Sequence, residues 1–272
     1  MFSINKLAAI CDAKKSDFIK YGKAINNPTG LLVYQDNDAP ILAVAHLDIA
    51  IKPEKAIICN EEIMISPAMD DRLGAYLILD VLQSYGLKFD VLLTDCEERA
   101  NSTAQFYNPD KEYNWIFEFD RSGNDVVMYN YDNDDLRLML KEFDFQIGIG
   151  SFTDICWMEH LGVKGINFGT CYYNPHSRAC YADLYELELQ VYKFIAFYHK
   201  YKDVKFPHEQ KEDFFIGGNG RYKLESWDSN DYFYDPDLSP FCEFCGDNLI
   251  DDFEMDYGLC QRCLEYMAYK EG

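Results

Sequence analysis

The chain has 272 residues, 48% of them hydrophobic, and its 25 basic residues against 47 acids give a formal net charge of −22. That composition excludes global disorder and suits one large α/β domain with a small module attached. The acidity disfavours nucleic acid and anionic membrane as main partners, because the phosphate contribution to binding would be repulsive.

Residues 1–26 carry an apolar stripe that predicts two helices, with Leu7, Ile10, Cys11, Phe18 and Ile25 along it. Asn27-Pro28-Thr29-Gly30 is a turn. Residues 31–34 and 40–45 read as strands, the second an unbroken apolar run of the kind found inside a covered sheet. It ends at His46-Leu47-Asp48. Residues 56–59 and 62–65 predict a hairpin. Asp70 and Asp71 precede a helix expected over 73–83, where carboxylates complement the helix dipole.

A strand over 89–94 leads to Cys96-Glu97-Glu98. On an extended chain the two glutamates would point opposite ways. A short helix is expected over 100–106, strands over 114–119 and 125–129, and a helix over 134–143. Another helix is expected from 154 to about 161, with Ser151 or Thr153 as its cap. The last core strand covers 163–169, a loop runs to His176, and a long amphipathic helix spans 184–201. Alternating strands and helices predict a mixed central sheet covered by helices on both faces, within a catalytic domain over 1–202. A linker is expected over 203–240 and a small zinc-ribbon module over 241–272.

No apolar run reaches bilayer-spanning length. The opening residues lack a basic stretch followed by a long apolar core, so the expectation is a cytoplasmic protein with no membrane partner. Six of the ten cysteines are scattered, and the other four form Cys242-x-x-Cys245 and Cys260-x-x-Cys263. Two such knuckles bring four thiolates to one tetrahedral ion, so Cys242, Cys245, Cys260 and Cys263 are candidate ligands of a structural zinc. The acidic module points to a structural or protein-docking role.

Each polar residue at a strand end has an ordinary role available. His46 could be a satisfied core histidine, Asp70 a helix cap, Glu97 and Glu98 a solvated strand end, Asp120 a salt-bridge partner of Arg121, and His176 a loop residue. Together they supply nitrogen and oxygen donors, and each lies where open α/β sheets place their sites. Two neighbouring cations need a bridging carboxylate between them. Asp48 can accept the second imidazole N–H of His46.

Ala45-His46-Leu47-Asp48, Ala68-Met69-Asp70-Asp71-Arg72-Leu73-Gly74, Glu97-Glu98, Asp120 and Asn174-Pro175-His176-Ser177 resemble, in order, the motifs of the co-catalytic di-zinc exopeptidases. The Asp-Asp-Arg-Leu-Gly and His-Ser segments look most like the deblocking aminopeptidase branch. The resemblance covers residues 30–200. It implies that His46 and Asp120 hold one metal, Glu98 and His176 the other, and Asp70 bridges them. Asp71 could be mistaken for the bridge; the motif places the ligand first. Asp48 would orient His46, and Glu97 would be the general base of a di-zinc-activated water. The implied cofactors are two catalytic Zn ions, or Co or Mn, and the implied substrate is a peptide or amide.

An aminopeptidase is the leading expectation, with a deacylase or another amide hydrolase of the superfamily as the alternative. A binding protein that has lost activity is a third reading, against which Glu97 stands intact. The short intervals from His46 to Asp70 and from Asp120 to His176 leave little room for the lid or dimerisation domain many relatives insert, so a minimal catalytic domain, or an altered oligomeric state of any homo-oligomer, is expected. The loop 148–154 is expected either to touch substrate or merely to start a helix, and Tyr172, Tyr173 and Arg178 are candidate pocket residues by position.

Overall fold

The computed structural model describes residues 2–51 and 54–210. These belong to one compact unit, Met1–Lys211. The four cysteines of the two knuckles, and most of the expected linker, lie outside the described residues.

Helix α1 (Ile4–Cys11) starts at Ser3, whose side chain accepts the Lys6 N–H. The second expected helix is instead a 3-10 segment, Lys15–Tyr21, followed by strand β1 (Lys23–Ala24). Gly22 explains the change of direction. A Cβ there would sit 2.3 Å from the Tyr34 carbonyl oxygen, so only glycine lets the chain press onto the neighbouring strand. Strands β2 (Val33–Gln35) and β3 (Ile41–His46) follow, then the hairpin of β4 (Ile57–Ile58) and β5 (Ile63–Ile65). Helix α2 (Met69–Tyr76) continues through a π-turn, Leu77–Val81, into α3 (Leu82–Ser84).

Strand β6 (Asp90–Thr94) gives way to two 3-10 turns, Glu97–Arg99 and Thr103–Phe106. Next come β7 (Trp115–Arg121), β8 (Asp125–Val127) and a 3-10 turn at Tyr129–Tyr131 that cuts the expected strand short. Helix α4 (Asp134–Lys141) is capped by Asn133, and β9 (Gln146–Ile147) follows it. Asp154–Leu161 is 3-10 rather than α-helical. Strand β10 (Gly165–Gly169) is followed by β11 (Tyr172–Tyr173) and β12 (Tyr181–Asp183) within the expected loop and just beyond it. Helix α5 (Leu184–Tyr201) is capped by Asp183, which accepts the N–H groups of Tyr185 and Glu186.

The main sheet has eight strands in the order β1-β2-β6-β3-β7-β10-β8-β9. Its middle strands β6, β3, β7 and β10 are parallel, and β3, β6 and β10 are buried along their whole length. Because they are parallel, they deliver their C-terminal residues to one edge. His46 pairs with Thr94 there, and Gly169 with Arg121. The smaller antiparallel sheet, β11-β12-β5-β4, carries the segment holding His176 between β11 and β12.

The two faces of the main sheet are covered differently. Side chains of α1, α2, α4 and α5 pack on Ile41, Ala43, Trp115, Phe117 and Phe168. The opposite face, with Leu42, Val44, Leu92 and Ile116, is covered by Ala104, Ile155 and Met158 from 3-10 segments. Trp115 anchors the helical side: its Nε1–H donates to the Tyr201 carbonyl at 3.1 Å, and its ring stacks on Phe206 at 6.1 Å. Residues 206–208 therefore continue the packed unit past α5, with Pro207 bridging to Val163.

Candidate metal centre

Odd and even residues of a strand face opposite ways. In β3, Leu42 and Val44 face the 3-10 layer, and His46 follows them at the strand end. His46 is buried, with Nε2 3.0 Å from Asp70 Oδ1, 3.4 Å from Asp120 Oδ1 and 3.9 Å from Glu97 Oε2. Its Nδ1 faces Asp48 Oδ1 at 3.5 Å. Asp48 also accepts the backbone N–H groups of Glu97 and Glu98, each at 3.2 Å. One carboxylate thus faces the back of the imidazole while it holds the turn carrying both glutamates.

Asp70 lies between two histidines. Its Oδ1 faces His46, while its Oδ2 is 3.3 Å from His176 Nε2. His176, 56% exposed at its side chain, is also 3.2 Å from Glu98 Oε2. Asp71 has a different task. Its Oδ1 accepts the Gly74 N–H at 3.1 Å, closing the first turn of α2 after two residues of non-helical backbone. The Asp70–Asp71 peptide bond is cis.

The two glutamates are not on extended chain. Cys96 adopts a left-handed conformation, φ 66°, that ends the strand, and Glu97–Arg99 forms a 3-10 turn. Successive side chains diverge on such a turn as well, by about 120°. Glu97 faces His46 and Glu98 faces His176, so the two side chains point apart although the chain is not extended.

Asp120, near the end of β7, is held on three sides. The Thr153 hydroxyl donates to its Oδ2 at 2.7 Å, the Asn167 side chain accepts its backbone N–H at 3.1 Å, and the Tyr172 hydroxyl donates to its carbonyl at 2.9 Å. Arg121 pairs with Asp125 at 2.8 Å and not with Asp120. Asp154 is buried and accepts the hydroxyls of Thr94 and Ser102. Composition offered no signal for Asn167 or Ser102. The loop 148–154 does start a helical segment, a 3-10 one from Asp154 with Thr153 at its cap position, and the Thr153 hydroxyl turns to Asp120. Of the three pocket candidates, only Tyr172 reaches the centre. The Tyr173 hydroxyl donates to Glu186, and Arg178 lies out on the surface beside Glu54 at 3.2 Å.

Two sets of candidate ligands result: His46, Asp70 and Asp120, and Asp70, Glu98 and His176. Within each set the ligand atoms lie within 4.8 Å of one another, and Asp70 belongs to both. The charges are unbalanced without a cation. Burial and the neighbouring Asp120, Asp154 and Asp70 push Glu97 up to about 9, against the pull of His46. Burial and Asp70 push Asp120 up to about 7. Hydrogen bonds to Asp70 and Glu98 raise His176 to about 10. Burial would lower His46, but Asp120, Asp48 and Asp70 outweigh it and hold its pKa well above the usual value. Asp70 stays ionised despite its burial because both histidines bond to it. Mixed nitrogen and carboxylate donors suit Zn²⁺, Co²⁺ or Mn²⁺, and a divalent cation would reverse this protonation pattern. The residues fit such cations. Nearby Cys96 is a neutral thiol, its pKa raised by burial and by Asp95 and Asp48.

No protein-family model matches the chain, and no curated protein matches it. Solved structures do. PhTET1-12s, a dodecamer, is 15% identical, with 72% of this chain and 98% of that one covered and a TM-score of 0.54. A tripeptidase from Staphylococcus aureus is 11% identical, covering 71% of this chain and 96% of that one at a TM-score of 0.53. Aminopeptidase PepT from Bacillus cereus is 9% identical, covering 71% and 96% at a TM-score of 0.51. At these identities the likeness is one of fold: this chain has the mixed α/β architecture of those peptidases.

Proposed function

We propose that the chain is a metal-dependent exopeptidase of the aminopeptidase type. The observation that carries this reading is Asp70, whose two oxygens face two different histidines at 3.0 and 3.3 Å. In this reading His46 and Asp120 hold one cation, Glu98 and His176 hold the other, and Asp70 is shared. When bound, such cations supply Lewis acidity and lower the pKa of water. The likeness of fold to a tripeptidase and an aminopeptidase supports the same class of reaction.

The chain's own residues then have distinct tasks. Glu97 Oε2 is the farthest of the three carboxylates from His46 Nε2, at 3.9 Å against 3.0 and 3.4 Å, which suits a proton carrier better than a ligand. Its carboxylate takes a proton from the attacking water as oxygen adds to the scissile carbonyl carbon. It returns that proton to the amine nitrogen as the C–N bond breaks. Asp48 keeps His46 Nδ1 protonated, so that Nε2 presents its lone pair. Through the two backbone N–H groups it also fixes the turn that carries Glu97 and Glu98.

The same proposal gives Cys242, Cys245, Cys260 and Cys263 to one structural zinc, in a module over 241–272 that serves a protein partner; the linker expected over 203–240 is shortened at its start, because residues 206–208 pack on the catalytic unit. Self-association is part of it, since PhTET1-12s is a dodecamer. Among the described residues, no helix is long and apolar enough to cross a membrane. A panel of aminoacyl- and N-acyl-chromogenic substrates, assayed with Zn²⁺, Co²⁺ or Mn²⁺, tests the reading. Release from aminoacyl substrates alone is expected. Release from N-acyl substrates alone would make the protein a deacylase, and no release with any metal would end the catalytic reading.

A further inference from the structure

Helix α5 has two apolar faces. Leu187, Val191, Phe194 and Tyr198 pack into the core, as a helix lying on a sheet requires. On the outward side, where polar residues are the rule, Tyr185 is 60% exposed, Leu189 49% and Tyr192 50%. Ala196 and His199 continue this line and are exposed as well. The steps between the five residues are four, three, four and three. That alternation is the seam along which one helix meets another. It runs about 21 Å along the helix. Tyr192 is already held in place: its hydroxyl donates to Glu188 at 3.1 Å, and its ring meets the Tyr85 ring edge-on at 6.2 Å. An anchor fixed in advance loses less freedom on binding.

Area and charge say what fits this face. Tyr85, Tyr185 and Tyr192 alone expose about 300 Å². That suits the apolar centre of an interface, around which a polar rim completes the ~800 Å² per partner of a stable complex. A chain with 47 acids and 25 bases repels its own copy over most of its surface. Helix α5 is balanced, and its charges are segregated: Glu186 and Glu188 lie in its first half, Lys193 and Lys200 in its second. Lys200 also pairs with Glu142, an exposed contact that costs little to share. A second α5, turned antiparallel, sets its basic half against the acidic half of the first, and a twofold axis repeats the pairing at the other end.

We propose that the protein forms a homodimer by packing α5 antiparallel on the α5 of a second copy. Tyr192 meets its own counterpart at the twofold axis, Leu189 faces Ala196, and Tyr185 faces His199. The proposal gives a surface to the self-association in the functional reading and rests on that reading only for the expectation of more than one copy. The metal centre takes no part in the seam.

Sedimentation of the full-length zinc-loaded protein over a concentration series reads mass without turnover, and a dimer is expected. Tyr192→Glu, at the axis, should raise its dissociation constant about thirtyfold, the scale of a central aromatic anchor, with circular dichroism unchanged because the side chain lies on the outer face. Lys200→Glu should weaken the dimer severalfold by making both halves acidic. Adding Glu188→Lys should restore it, since reversing both halves keeps them complementary. Benzoylphenylalanine in place of Tyr192 should give a covalent dimer on irradiation. A monomer at every concentration overturns the proposal and the self-association with it. A dimer unmoved by Tyr192→Glu, a Lys200→Glu variant that Glu188→Lys does not rescue, or a photocrosslink from position 192 to residues 212–272 of the same chain overturns this surface and leaves the peptidase reading standing.

Discussion

Gly74 sits in α2, one turn past the shared aspartate, and Gly74→Ala sets two effects of opposite sign against each other. Alanine is the better helix former, worth about 1 kcal/mol at an interior position. Against that, a Cβ at Gly74 would lie 2.3 Å from Asp71 Oδ1 and 2.4 Å from the Phe119 carbonyl oxygen. The second contact is strand backbone, which cannot swing away. Overpacking of a tight site costs about 1–3 kcal/mol. Displacing Asp71, whose carboxyl is held towards its neutral form by burial and the nearby Asp120, also breaks its bond from the Gly74 N–H, about 0.5–1.5 kcal/mol. The clash therefore wins, with a net loss of about 1–3 kcal/mol, or about 2–12 °C in Tm for a domain of this size. Urea unfolding with an unchanged m-value would measure it. Because Asp70 and Asp120 flank the two contacts, cation affinity should fall as well. A variant as stable as the parent, or more stable, would refute this packing.

Thr153→Val removes the only side-chain donor found on Asp120 Oδ2 among the described residues, so zinc affinity in a competition titration should drop about tenfold while Thr153→Ser stays near the parent. In metal-free protein the His176 imidazole, raised to about 10 by Asp70 and Glu98, should remain protonated at pH 8 by NMR. A folded pKa above the unfolded value of about 6.5 means this contribution to stability is complete below pH ~6.5 and is lost as pH rises through about 10. An ordinary titration near neutrality would contradict the pairing. Glu97→Gln should abolish turnover while metal content, read by atomic emission, stays unchanged; loss of a cation would make Glu97 a ligand instead.

Much of the frame is legible in the sequence because long apolar strands declare themselves. The run through β3 and its end at His46 are visible without coordinates, as are the acids after β6 and β7. What failed was short or irregular. Strands β9 and β11 hold two residues each, too few for any periodicity to show. The 3-10 segments Lys15–Tyr21 and Asp154–Leu161 carry apolar spacing that an α-helix would also satisfy. Asp70 and Asp71 are adjacent and chemically identical. Only the Gly74 N–H, which Asp71 accepts, and the two histidines, which Asp70 faces, tell them apart. The burial of Arg72 is not legible either, because an arginine, even inside a motif, reads as a surface residue until its surroundings are known.

Zinc stoichiometry tests the shared-aspartate centre most directly. Full-length protein saturated with zinc and freed of excess should hold about three equivalents, two at the centre and one on the four cysteines. Asp70→Asn should leave about one, and Cys242→Ser about two. A parent value near one that vanishes in Cys242→Ser and is untouched by Asp70→Asn would contradict the centre outright.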